Sequence, residues 1–152
     1  MKKTGKTGKT GKTPYKKAKE KAWKAFSRFI RTRDSIKTTN SLEACVCVTC
    51  GNTVEFSKTH AGHAIDSRCM SILFDEHLVN GQGVGCNIYG NGKYAEYSVW
   101  FINEYGLEEW EEKVALKHTI KKYKVFELEE IEQEYKDKLK EILEEWERKE
   151  KR

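Results

Sequence analysis

Apolar positions in residues 14–30 recur every three or four places. Ala18, Ala22, Trp23, Phe26, Phe29 and Ile30 form one stripe, with Lys17, Lys21, Lys24, Arg28 and Arg31 facing away from it. That spacing predicts an amphipathic helix, and Pro14 suits its first turn. Trp23, Phe26 and Phe29 read as core, and the basic face can track a polyanion backbone. Residues 35–43 are polar and rich in Thr, Ser and Asn, and read as a loop. Val46 and Val48 on one side of Gly51-Asn52, with Val54 and Phe56 on the other, predict two short strands. Residues 60–65 form or close the second of them. Residues 66–80 read as an irregular loop anchored by Ile72, Leu73, Phe74 and Val79. Gly81, Gly83, Gly85, Gly90 and Gly92 then read as a flexible crossover, within which Asn87 opens a short helix in β-β-α order.

Three further helices are predicted, over residues 94–105 (stopped by Gly106), 108–117 and 125–150. In the last, Leu128, Ile131, Tyr135, Leu139, Ile142 and Trp146 mark one face amid alternating Glu and Lys. Such a stripe can dock on its own domain or pair with a copy of itself. The small size of the module it would otherwise cover favours the second, a homodimer.

Charge changes this picture at one end. The chain of 152 residues has a formal charge of +5, unevenly spread: residues 1–37 carry a net +12, residues 38–103 a net −3 and residues 104–152 a net −4. Residues 1–13 repeat Thr-Gly-Lys with nothing apolar, so they cannot offset their ordering entropy and are expected to be disordered. They are either a solvated tail or an arm that binds phosphates without sequence preference. No apolar run approaches the ~20 residues that span a bilayer. The lysine-rich start also lacks the hydrophobic core of a signal peptide.

All five cysteines and three of the four histidines fall between residues 45 and 92. Cys47-x2-Cys50 followed by Gly51 is a turn that lets two thiolates share one tetrahedral zinc, and Cys86 offers a third thiol. An odd number of cysteines crowded on such a turn suits metal ligation in a reducing cytoplasm better than disulfides. The glycines around Cys86 form no phosphate-binding fingerprint, since no strongly apolar strand precedes them.

Taken in order, Arg31-x-Arg33-Asp34, Cys47-x2-Cys50-Gly51, His60-Ala61-Gly62-His63, Ser67-Arg68, Phe74-Asp75-Glu76, Gln82, Cys86-Asn87, Glu96-Tyr97 and Tyr105-Gly106 resemble the HNH, or ββα-metal, nuclease module. More closely they resemble the NinG/Rap family of bacteriophage recombination nucleases, over roughly residues 25–120. The resemblance implies an α+β fold in which a small zinc-stapled ββα-metal module is embedded in helices. The expected organisation is a basic arm over residues 1–13, a nuclease domain over 14–120 and a C-terminal helix over 121–152. It also implies an endonuclease acting on branched or single-stranded DNA in the cytoplasm of an infected host. His63 takes the family's general-base position, and Asn87 is a ligand of a catalytic Mg²⁺ or Mn²⁺. His60 is a second metal contact if the strand bends at Gly62, and Arg68 is either a phosphate clamp or a surface ion-pair partner.

Two departures stand out. The second knuckle usually reads C-x2-C-N, whereas here Gly83 replaces one zinc ligand, leaving Cys45 or Cys69 to supply a fourth thiol or the knuckle to hold without metal. Leu78 stands where the module carries the Asn that orients the catalytic imidazole, with His77 or Asn80 beside it as substitutes. Two expectations compete: a zinc-containing DNA-binding protein without catalysis, and a coiled-coil interaction protein in which residues 45–92 only brace the helices.

Overall fold

A single long helix, α1 (Pro14–Thr39), is the spine on which the other elements pack. Thr13 caps it by accepting the Lys16 N–H at 3.2 Å, and Pro14 occupies the first turn, where its missing N–H costs nothing. The computed structural model describes residues 11–152, so the basic arm, apart from residues 11–13, lies outside the described residues. Residues 35–39, read as loop, continue the helix. Thr38 and Thr39 donate their hydroxyls back to the carbonyls of Asp34 and Ser35 at 2.6 and 2.9 Å. Thr38 Oγ also accepts the Val46 N–H at 3.0 Å. Tertiary contact with the first strand thus overrides the weak helix propensity of threonine. The helix ends at Asn40, in the left-handed region at φ 50°.

Strands β1 (Ala44–Val46) and β2 (Thr53–Glu55) form a small antiparallel hairpin, Cys45 opposite Val54. The next strand does not extend β2. β3 (Thr59–His63) begins a separate antiparallel pair with β4 (Val79–Gly83), in which His60 faces Gln82 and His63 faces Val79. β4 corrects the sequence reading, which assigned its residues to loop and crossover. It is buried along its whole length. Its glycines mark close approach rather than flexibility: a Cβ on Gly81 would lie 2.7 Å from Cys45 Sγ and 3.3 Å from Asp34 Cβ. Gly81→Ala is therefore expected to cost about 1–3 kcal/mol by overpacking, read from urea unfolding. Cys45→Ala in the same chain should restore part of that loss, and strict additivity of the two would show that they do not touch.

After β4 come a single helical turn at Gly85–Tyr89, then α2 (Tyr94–Tyr105), α3 (Leu107–Leu116) and α4 (Val125–Glu150). The break between α2 and α3 falls at Gly106, φ 93°. The core joins Phe26, Phe29 and Ile30 of α1 to Leu78, Val79, Tyr97, Phe101 and Tyr135.

Tyr135 packs its ring edge-on against Phe26 at 4.7 Å, and Leu128 is buried with Ala18 and Ala22. Leu128, Ile131, Tyr135 and Ile142 of the α4 stripe thus pack into the core of their own chain. Glu76 fixes the docking by accepting from Tyr135 at 3.0 Å and Lys138 at 2.6 Å. Several residues of the sequence signature serve this scaffold. Arg33 grips Asp34 and the carbonyls of Glu76 and Val79, and Asp34 in turn accepts the Gly81 N–H at 2.6 Å. Tyr97, fully buried, donates to the Gly62 carbonyl at 2.9 Å.

Candidate functional site

The turn between β1 and β2 and the turn after β4 meet at three thiols. The sulfurs of Cys47, Cys50 and Cys86 lie within 4.8 Å of one another. Tetrahedral zinc with ~2.3 Å bonds needs sulfurs about 3.8 Å apart, a distance small side-chain rotations reach, so the trio is able to hold a metal such as zinc. Burial pushes the Cys47 thiol up, but the Thr49 hydroxyl and the Gly83 N–H, 3.2 Å from its sulfur, bring it down to about 7. A thiol that ionises near neutrality is half-prepared as a ligand. Cys50 is exposed; desolvation and the neighbouring thiols raise it.

Neither proposed fourth thiol joins the trio. Cys45 is buried on the β1 face that meets Thr38 and Gly81. Cys69 contacts Ser71 and the Lys117 carbonyl, tying a loop to the end of α3. Cys86 immediately precedes Asn87, so whatever holds the cluster also sets where Asn87 stands.

Beyond the thiols, β3, β4 and the turn at Gly85–Tyr89 follow one another as strand, strand and short helix, and β3, the loop after it and Asn87 of the turn wall two adjoining cavities. One, of about 230 Å³, is lined by His63, Asp66, Arg68, Asn87 and Tyr94. The other, of about 300 Å³, is lined by His60, Arg31, Arg68, Asn87 and Trp23. Asn87 and Arg68 border both. The β3–β4 ladder is continuous through Gly62, and the two histidines border the two adjoining cavities rather than a single one.

His63 is 8 % exposed. Its Nε2–H donates to the Leu73 carbonyl at 3.2 Å, which leaves the lone pair on Nδ1. Its ring stacks on Trp23 at 5.3 Å and 15°. Burial, opposed only in part by the Leu73 carbonyl, pulls its pKa down to about 4. The imidazole is therefore neutral at pH 7 and able to accept a proton. Asn87 donates from Nδ2 to His60 Nδ1 at 3.0 Å. That bond leaves Asn87 Oδ1 as the hard oxygen donor suited to Mg²⁺ or Mn²⁺. It also occupies the Nδ1 lone pair of His60, so in this arrangement His60 orients the amide rather than offering a ligand atom.

Neither His77 nor Asn80, the residues beside Leu78, bonds to His63. His77 is bound by Glu109 and stacked on Tyr105 at 4.3 Å, and it borders neither cavity. Asn80 is held by Arg33, the His77 carbonyl and Tyr97. The Leu73 carbonyl and Trp23 hold the His63 ring instead. A backbone carbonyl leaves no trace in a sequence, and Trp23 read as ordinary core because its spacing is that of the helix stripe. Asp66, a carboxylate bordering the His63 cavity, was also missed, although it directly precedes Ser67-Arg68.

The site thus defines an α+β protein with a three-thiol cluster and a polar cavity shared by histidine, asparagine and arginine. The sequence model of the bacteriophage lambda NinG protein family matches residues 2–145, and the chain belongs to that family. No curated protein and no solved structure matches it. Among the described residues, no helix is long and apolar enough to cross a membrane.

Proposed function

We propose that the protein is a metal-dependent DNA endonuclease of the HNH, or ββα-metal, kind, acting on branched or single-stranded DNA during phage recombination. The observation that carries this reading is the cavity where a neutral, buried His63 shares its walls with Asn87 and Arg68 at the end of a strand–strand–helical-turn unit. A divalent ion, when bound, would neutralise charge on the scissile phosphate and leaving oxygen. Asn87 Oδ1 supplies an oxygen for it, steadied by the bond to His60. His63 Nδ1 takes the proton of the attacking water while the water oxygen bonds to phosphorus and the phosphorus–oxygen bond of the leaving group breaks. The Leu73 carbonyl keeps the ring in the tautomer that this transfer needs, and Trp23 stacks on its face. Arg68 holds a phosphate oxygen through its guanidinium. The thiol cluster, loaded with zinc, ties Cys86 and hence Asn87 to the β1–β2 turn. DNA is the partner, and the basic arm and the outer face of α1 add affinity without sequence information.

The test is nicking of plasmid DNA and synthetic junctions with Mg²⁺, Mn²⁺ or chelator. The parent should nick with either ion and stop in chelator. Asn87→Ala should nick poorly at low metal and recover in part at high metal, because it weakens ion binding rather than proton transfer. Nicking by Asn87→Ala equal to the parent at every metal concentration would remove Asn87 from the site. The second reading, a zinc-containing DNA-binding protein without catalysis, draws on one observation. Leu78, in the middle position of the module, is fully buried and apolar. Salt-sensitive DNA binding with no nicking under any ion would favour it.

A further inference from the structure

The cavity beside His60 is lined by two arginines without a protein partner among the described residues, one half-buried and one exposed. Arg31 lies on α1, half-buried, with its guanidinium 4.9 Å above the Phe56 ring. Its Nε is buried and has no hydrogen-bond partner. Arg68 arrives from the loop after β3 and lies 4.5 Å over the Trp23 indole. Among the described residues, neither forms a salt bridge or a hydrogen bond. Arg33, two residues beyond Arg31, shows what a structural arginine looks like here: it bonds to Asp34, to two backbone carbonyls and to Asn80. Burial and the nearby Arg28 both press Arg31 toward losing its charge. A buried donor without a partner is costly, and Arg31 and Arg68 line one cavity. What relieves that cost and engages both side chains is an oxyanion able to accept from two planar forks. The aromatic faces beneath each arginine fix their planes in advance, and the cavity they line has a volume of about 300 Å³.

We infer that Arg31 and Arg68 form a two-arginine clamp for one backbone phosphate of a bound DNA strand, seated in this cavity beside Asn87. The clamp rests on the nuclease reading for its place next to the cleavage chemistry. Its existence requires only that the protein bind DNA. Arg31 comes from the spine helix and Arg68 from the loop that follows His63. A phosphate held by both therefore lies across α1 and the strand–strand unit, and it enters the cavity that Asn87 borders.

Binding of a fluorescent single-stranded oligonucleotide to the full chain, in chelator so that nothing is cut, tests the clamp across a salt series. Arg31→Gln and Arg68→Gln should each weaken binding several-fold. Each should also flatten the slope of log K against log salt by ~0.7 if one contact is lost. Arg31→Lys should keep more affinity than Arg31→Gln but less than the parent, since it keeps the charge and loses the fork. Thermal melting of each variant checks the fold. Arg68→Gln sits on an exposed loop and gives an answer even where Arg31→Gln destabilises the helix. Inorganic phosphate, matched in ionic strength against chloride, should compete with the oligonucleotide for the parent and not for the double variant. Competition supports a clamp that reads the phosphate group itself. No competition with flattened slopes supports one that reads it only within a strand. Parent-like affinity and slope in the folded double variant would overturn the clamp. A parent that binds DNA but never nicks would defeat the nuclease reading while leaving the arginine result standing.

Discussion

Replacing His63 with Ala is expected to lower metal-dependent nicking by a factor of ~10²–10⁴, the usual contribution of a general base. DNA affinity measured in chelator and zinc content should stay close to the parent's, because phosphate contacts and thiols lie on other residues. The pH profile supplies a second, independent readout. A histidine at its ordinary value would give nicking an acid limb centred near pH 6.5. Burial holds His63 at about 4, so its base form persists well into acid and the limb should move below that of an exposed histidine.

The same displacement has a sign in stability. Unfolding frees the ring to take up a proton below about pH 6.5, which the folded protein refuses until about pH 4. Its contribution is therefore complete above pH 6.5 and is lost as pH falls toward 4. At full loss it is on the order of 3 kcal/mol. Urea unfolding of the metal-free parent should show this decline between those limits, and His63→Ala should lack that share of it. A variant that nicks as fast as the parent would sink the assignment of His63 as base. An unchanged acid decline would sink the claim that its burial matters.

The helices were legible because their periodicity is strong. Residues 94–105 stop at Gly106 as their pattern requires, and the apolar face of residues 125–150 is the face that meets α1. Periodicity could not say what that face meets. Its partner, the stripe of Ala18, Ala22 and Phe26, is visible in the sequence, but nothing in its spacing pairs it with residues more than a hundred positions away. β4 was illegible for a physical reason. Val-Asn-Gly-Gln-Gly has the composition of a turn, and only the nearness of Cys45, Asp34 and Thr59 explains why Gly81 has no side chain.

Much of the motif set turned out to build the frame that presents the site. Arg33 and Asp34 fasten β4 to α1, Asp75 and Glu76 anchor α3 and α4, and Tyr97 pins β3. The cavity itself was half legible. His63, Arg68 and Asn87 were named from the sequence and border one space. Asp66 in that space and Arg31 in the adjoining one required the fold to bring them there. His77 was misjudged because adjacency to Leu78 in a strand-entry segment sends its ring the other way, to Glu109 and Tyr105.

Protein purified without added metal is expected to carry about one zinc per chain, and its removal should produce the largest stability loss of any single perturbation. Structural zinc sites with four ligands contribute ~10–16 kcal/mol of binding free energy at neutral pH. Three thiolates with a solvent ligand should contribute less. Even several kcal/mol corresponds to roughly 10 °C or more in a domain of this size. Chelation should therefore lower the melting temperature by at least that much, and Cys47→Ala or Cys86→Ala should reproduce the loss together with the zinc. Cys45→Ala and Cys69→Ala discriminate, since both thiols lie away from the trio. They should keep full zinc content even where Cys45→Ala loosens the packing over Gly81. Zinc lost on either substitution would restore a fourth thiol to the cluster. A parent that is folded, zinc-free and indifferent to chelator would leave the turn to its own bonds. Those are Cys47 N–H to the Asn52 carbonyl at 2.8 Å, Gly51 N–H to the Cys47 carbonyl at 2.9 Å and Val48 N–H to the Gly81 carbonyl at 3.0 Å. Net contributions of about 1 kcal/mol each would then have to hold Asn87 in place, and mutating the thiols would change nicking little.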